Sequence, residues 1–183
     1  RDGRRRVPTP EQAQGAFAHL VVRPAAVALL ALLAALSLGE LSELRGEMAF
    51  ARFYRLLRLA NISEGSGRPM ELATAVQSAC AEAELVMTFS RRNPEALRLI
   101  AAAYLSWSES PTLDPMLRLR LGEKAVAAAA LAARAAPSDY ETWLWLARAQ
   151  TSIGLWEQAQ VCLRRARTLA PPGMELRIYP EPA

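Results

Sequence analysis

The chain carries few residues that could do chemistry on their own. His19 is the single histidine among 183 residues, so a histidine-based triad or a multi-histidine metal site would have to be assembled with other chains. It stands beside an apolar run and reads as an interfacial or packed imidazole, with ligation of a haem or chlorin inside a larger assembly as the alternative. Cys80 and Cys162 belong to no C-x-x-C or haem-attachment motif. They fall in separate predicted helices, which favours two buried thiols over a disulfide or redox pair. No Gly-rich phosphate loop occurs, and the carboxylates show nothing beyond ordinary helix-face pairing with arginine. No catalytic residue, no metal ligand set and no cofactor is therefore expected, and the chemistry on offer is recognition. A net charge of +4 and a pI near 9.6 do not point to nucleic acid. The arginines alternate with glutamates along helices, and no aromatic-basic platform appears. The dense cluster of Arg1, Arg4, Arg5 and Arg6 suits a topogenic tail or acidic lipid headgroups.

Recognition needs a surface, and the spacing of bulky and small residues from Tyr140 to Pro171 describes one. Trp143, Leu146 and small Ala147 fall on one helical face, and Gly154 marks a turn. Trp156, Ala159, Leu163 and Ala166 form a second helical face, and Pro171 closes the unit. About 34 residues upstream, Ala125, Ala129, Ala132 and Pro137 hold the same register as Ala159, Leu163, Ala166 and Pro171. The first helix belonging to that earlier unit is PEALRLIAAAYL, with Leu97, Ile100, Ala101 and Tyr104 in the large, large, small and aromatic places. The pattern resembles the tetratricopeptide repeat, a helical hairpin that buries one face on its neighbour. Gln150 departs from the family, which usually has Tyr there. Roughly twelve extra residues, SESPTLDPMLRL, separate the halves of the earlier unit and place Pro111 and Pro115 where a tight turn is usual. Either its first helix is longer or a loop bulges out, because proline cannot continue an interior turn. A degenerate third hairpin is read upstream, from Glu47 to Ala60 and from Pro69 to Arg91, ending at Arg92, Asn93 and Pro94.

The resemblance implies a short α-solenoid, and an ordinary helical bundle with accidental spacing is the alternative. It also implies which residues pack. Trp143, Trp145 and Trp156 are the expected anchors, each removing on the order of 150 to 250 Å² from water if buried. In the family, first-helix residues line a concave groove. The mapping selects Arg98 and Ala102 in one unit and Leu144 and Arg148 in the next, with the two arginines placed to receive an acidic or C-terminal peptide. The lysine and asparagine set of the family's carboxylate clamp is missing at these positions, so that activity is not carried over. No polar capping helix is recognisable after Pro171. The alternation of Leu176, Ile178 and Tyr179 in residues 172–183 describes an extended tail that either folds over the last hairpin or reaches onto a partner.

The second strong feature is Ala25 to Leu38, fourteen residues with Ser37 as the one strongly polar member. Extended back to Ala16 it reaches the roughly 20 residues a bilayer span requires. Arg23 then snorkels to the headgroups, and Gly39 and Glu40 end the run. A signal peptide is the competing reading, but a clean small-x-small site does not follow the run. Arg1, Arg4, Arg5, Arg6 and Arg23 precede the run, while Glu40, Glu43 and Glu47 partly offset the arginines that follow. This bias orients the N-terminus to the cytoplasm. The Ala-, Arg- and Leu-rich composition fits a GC-rich bacterial genome, which places the outer domain in the periplasm. Beyond the span, Leu41, Leu44, Met48, Phe50, Phe53, Tyr54 and Leu57 recur every three or four residues and describe an amphipathic helix whose aromatic face packs on the first hairpin. NISEGSGRPM then reads as a loop.

The sequence thus predicts an all-α chain. It has a basic tail (1–15), one transmembrane helix (16–41), an amphipathic helix (42–60), a loop (61–69), a tetratricopeptide-like domain (70–171) and an extended tail (172–183). The expected function is a non-enzymatic, membrane-anchored scaffold in a bacterial envelope complex. Its expected partners are other protein subunits and membrane lipid, and not nucleic acid. The layout is similar to anchored tetratricopeptide proteins that help assemble cytochromes, secretion machines, pili or polysaccharide systems. A structural accessory subunit of a respiratory or photosynthetic membrane enzyme, held through the transmembrane helix, is the alternative.

Overall fold

The structure, a computed structural model, describes residues 10–174 and 176, and the side chains at 10–30, 33–36 and 38 fall outside that description. The described residues are all helical or turn: α1 (Pro10–Gly65), α2 (Pro69–Phe89), α3 (Pro94–Glu109), α4 (Pro115–Ala135), α5 (Tyr140–Ser152) and α6 (Trp156–Leu169). The chain is all-α, as its periodicity requires. Two compact units are present, Arg1–Ser42 and Glu43–Ala183. In the first, the described backbone is helical from Pro10 onward. Most side chains of the expected span 16–41, His19 included, lie outside the described residues. Among the described residues no helix is long and apolar enough to cross a membrane.

Four of the five connections from α1 to α6 are of two kinds, and the local chemistry of each is plain. After α1 and again after α5 the helix ends in a glycine with positive φ, Gly67 at 66° and Gly154 at 80°. In both places the next two amides close the helix end in the same way. Gly67 N donates to Glu64 O at 3.1 Å and Arg68 N to Ser63 O at 3.0 Å, while Gly154 N donates to Thr151 O at 3.0 Å and Leu155 N to Gln150 O at 2.9 Å. This is the Schellman pattern, in which glycine adopts the left-handed conformation without a Cβ penalty. The expected loop over 61–69 is therefore shorter than its polar composition implied. Helix α1 runs to Gly65, and the reversal is confined to Ser66, Gly67 and Arg68.

The other turn joins α2 to α3 and α4 to α5. Asn93 N donates to Ser90 O at 3.0 Å, and Asp139 N donates to Ala136 O at 3.1 Å. The side chains of Asn93 and Asp139 then cap the following helices, accepting from Ala96 N and Glu141 N at 3.0 Å each. Such caps satisfy amides that have no partner within the helix. The α3–α4 connection differs and absorbs the insertion. Helix α3 has 16 residues against 13 in α5, and α4 has 21 against 14 in α6. The link spans residues 110–114 where the α5–α6 link spans 153–155. Asp114 caps α4 with Pro115 at its first position, so both prolines sit where they interrupt no helix.

Packing follows chain order. Helix α2 meets α3, α3 lies on α4, α4 on α5 and α5 on α6, with α3 and α5 also side by side. At one end of the second unit the core is aromatic. Phe53, Tyr104 and Trp107 are fully buried and meet edge to face, with centroid distances of 6.4 Å for Phe53–Trp107 and 6.1 Å for Tyr104–Trp107. At the other end it is built from small residues, with Ala125, Ala128, Ala129 and Ala132 of α4 fully buried. Gly122 belongs to the same device, because a Cβ there would lie 2.6 Å from Ile153 Cγ2.

The tryptophan expectation needs correcting. Trp156 is 40% exposed, and Trp143 and Trp145 are only half-buried. Ala125, Ala128, Ala129 and Ala132 of α4, which face the core there, are small and fully buried, while the indoles lie further out. The large ring that anchors the domain is Trp107 instead. The amphipathic reading of residues 42–60 also needs correction. Phe53 faces the core, but Leu44, Met48 and Tyr54 are exposed, so these apolar residues occupy different faces of α1. Finally, Leu176 is buried against the last hairpin and its carbonyl accepts from Arg167 at 3.4 Å, while residues 177–183 lie outside the described residues.

Candidate partner-binding groove

Helices α3 and α5 lie side by side, and residues three or four apart along each line a cavity of about 300 Å³ between them. Ala102, Leu105, Ser106 and Glu109 contribute from α3, and Trp145, Arg148, Thr151 and Ser152 from α5. The floor is apolar where Leu105 and Trp145 meet it. The rim is charged on opposite sides, with Glu109 on one helix and Arg148 on the other.

Arg148 is positioned by stacking. Its guanidinium carbon lies 5.2 Å from the centroid of the Trp145 ring, within the range of a cation–π contact. Among the described residues it has no carboxylate partner, so its donor edge remains available. A guanidinium can present two parallel N–H groups, the geometry that receives a carboxylate in bidentate fashion. Thr151 and Ser152 donate to backbone carbonyls of their own helix, at 2.9 Å to Ala147 O and 2.8 Å to Ala149 O. Their oxygens can still accept from a ligand.

The four residues mapped from sequence separate into two groups. Ala102 and Arg148 line the cavity. Arg98 and Leu144 do not, and Leu144 is half-buried against the core. Arg98 donates to Asp139 at 2.9 Å and to Glu141 as well, with its side chain only 20% exposed. Its charge is committed to the start of α5, where it ties the first helices of successive hairpins together. A second arginine for an acidic ligand is thus removed from the groove. Leu105, Ser106, Glu109, Trp145, Thr151 and Ser152 were not selected from sequence, although each stands three, four or seven residues from Ala102 or Arg148 along its helix.

The cysteines take no part in this groove and are free. Desolvation pushes both thiols up, with the Lys124 ammonium partly opposing this at Cys80 and a hydrogen bond with Gln150 opposing it at Cys162. Both are thus held in the neutral, unreactive form. Among the described residues no group of three or more His, Cys, Asp or Glu is placed to hold a metal ion. Comparison with family models, curated proteins and solved structures finds no match for the chain.

Proposed function

We propose that the chain is a non-enzymatic protein-binding scaffold whose tetratricopeptide-like hairpins dock a partner segment between α3 and α5. The observation that carries this reading is the Arg148–Trp145 pair, a cation over an aromatic face in a cavity, with no ion pair to Arg148 among the described residues. The occupant it favours is a peptide that sets a carboxylate on Arg148, an apolar side chain on Leu105 and Trp145, and an N–H or a cation toward Glu109. Sequential helix packing and the recurrence of the same turn after α1 and α5, and of the same cap before α3 and α5, support a repeat architecture.

The membrane part of the reading rests on sequence alone. We place the apolar run Ala16–Leu41 in a bacterial inner membrane as a single span, with the basic tail cytoplasmic and the helical hairpins periplasmic. The partners are then other subunits of a membrane complex. Extraction in mild detergent followed by purification tests this. The full chain should carry a protein in fixed stoichiometry, and Arg148→Glu should lose it while keeping the helical signal. If Arg148→Glu retains the same protein, the groove is not the docking site. Retention that depends only on residues 16–41 would instead favour the accessory-subunit alternative.

A further inference from the structure

The C-terminal stretch of α1 has two apolar stripes, and only one of them is used. Gly46, Phe53 and Ala60, each seven residues apart, face inward and are buried. At Gly46 an added Cβ would lie 3.3 Å from Ser90 Cβ and would displace the Ser90 hydroxyl, a close approach to the α2–α3 turn. Leu44 and Ile62 stand nine residues either side of Phe53, which at about 100° per residue sets them on the opposite face. There Leu44 and Met48 are 52% and 49% exposed, and Ala51 is exposed as well. The steps from 44 to 48, 51, 55, 58 and 62 alternate four and three residues, the seam of a heptad whose position opposite the seam holds Gly46, Phe53 and Ala60.

The charges flanking this seam indicate what covers it. In a parallel pair of helices, the residue before each a position faces the residue five further along on the partner. Glu47 would then face Arg52 of a second copy, and Tyr54 would face Leu59. In the sequence the same register repeats one heptad upstream, with Leu41 on the seam and Glu40 five residues before Arg45. Antiparallel pairing would bring like charges together at both places. Glu47 has no ion pair among the described residues, and Arg52 has one long contact, 3.7 Å to Glu82, with its side chain 59% exposed.

We infer that α1 pairs in parallel and in register with α1 of a second copy of this chain, along the seam of Leu44, Met48 and Ala51. Arg55 and Arg58 fill the next two seam places, and four guanidinium groups there repel, so the helices part beyond Ala51. This interface is separate from the α3–α5 groove and stands whether or not that groove binds a partner.

Cysteine placement in the full chain tests it directly. Met48→Cys, on the seam, should form a disulfide-linked dimer under mild oxidation at least tenfold faster than Glu43→Cys, which is exposed but off the seam; the unsubstituted chain serves as the blank. Adding Glu47→Arg to Met48→Cys should slow the cross-link by about tenfold with the far-UV circular dichroism unchanged. Equal rates for Met48→Cys and Glu43→Cys in a helical protein would overturn the inference. So would a monomer by sedimentation, or protection of the thiol introduced by Met48→Cys by lipid or another protein without cross-linking.

Discussion

The two ends of the Glu43–Ala183 unit solve the same packing problem with opposite materials. Where α1 and α3 meet, three aromatic rings pack edge to face. Where α4, α5 and α6 meet, alanine and glycine let helices approach closely and tryptophans are left toward the surface. The difference separates large side chains that hold the fold from large side chains that face outward, and sequence spacing alone had merged them.

The aromatic end should be the more fragile to truncation. Trp107→Ala removes a fully buried indole and should lower stability by about 3 to 5 kcal/mol, read by urea unfolding. At the small-residue end enlargement should do the damage. Gly122→Ala forces a methyl toward Ile153 and should cost about 1 to 3 kcal/mol, whereas the same change at an ordinary exposed helix glycine would be neutral or stabilising. Arg98→Ala should cost about 1 to 2 kcal/mol by unpairing Asp139 and Glu141. Trp156→Ala, at a site 40% exposed, should cost about 1 kcal/mol or less. A loss at Trp156 as large as that at Trp107 would break the comparison.

The thiols sharpen the same contrast through pH. Burial raises both folded-state values, so the neutral thiols favour the fold fully below the unfolded thiol pKa of about 8.5. That contribution is lost as pH rises through the folded values. Cys162→Ala should therefore flatten the fall in stability above about pH 8.5, and an unchanged slope would show that Cys162 does not contribute.

Much of the unit was legible because small residues at fixed spacing leave few options. Leu97, Ile100, Ala101 and Tyr104 are all buried, as are Leu146, Ala147, Ala159, Leu163 and Ala166. The helix starts were also readable, since Asn93, Asp114 and Asp139 are side-chain caps. Three things were hidden. Periodicity marks an apolar face without saying which of two faces meets a neighbour, and α1 has both. A polar Gly-containing stretch looks like a loop, yet Ser63 and Glu64 supply the carbonyls that close a helix. Arg98 and Arg148 match the same groove pattern, but only the fold shows that Asp139 and Glu141 stand within reach of one of them.

The central claim is that the α3–α5 cavity holds a partner protein. A photo-reactive amino acid at Ser106, inside the cavity, compared with one at exposed Gln160 on α6, tests it most directly in cells. The account predicts one discrete protein captured from Ser106, lost on adding Arg148→Glu and absent from Gln160. Capture that is equal at the two positions, or that persists with Arg148→Glu, would contradict it.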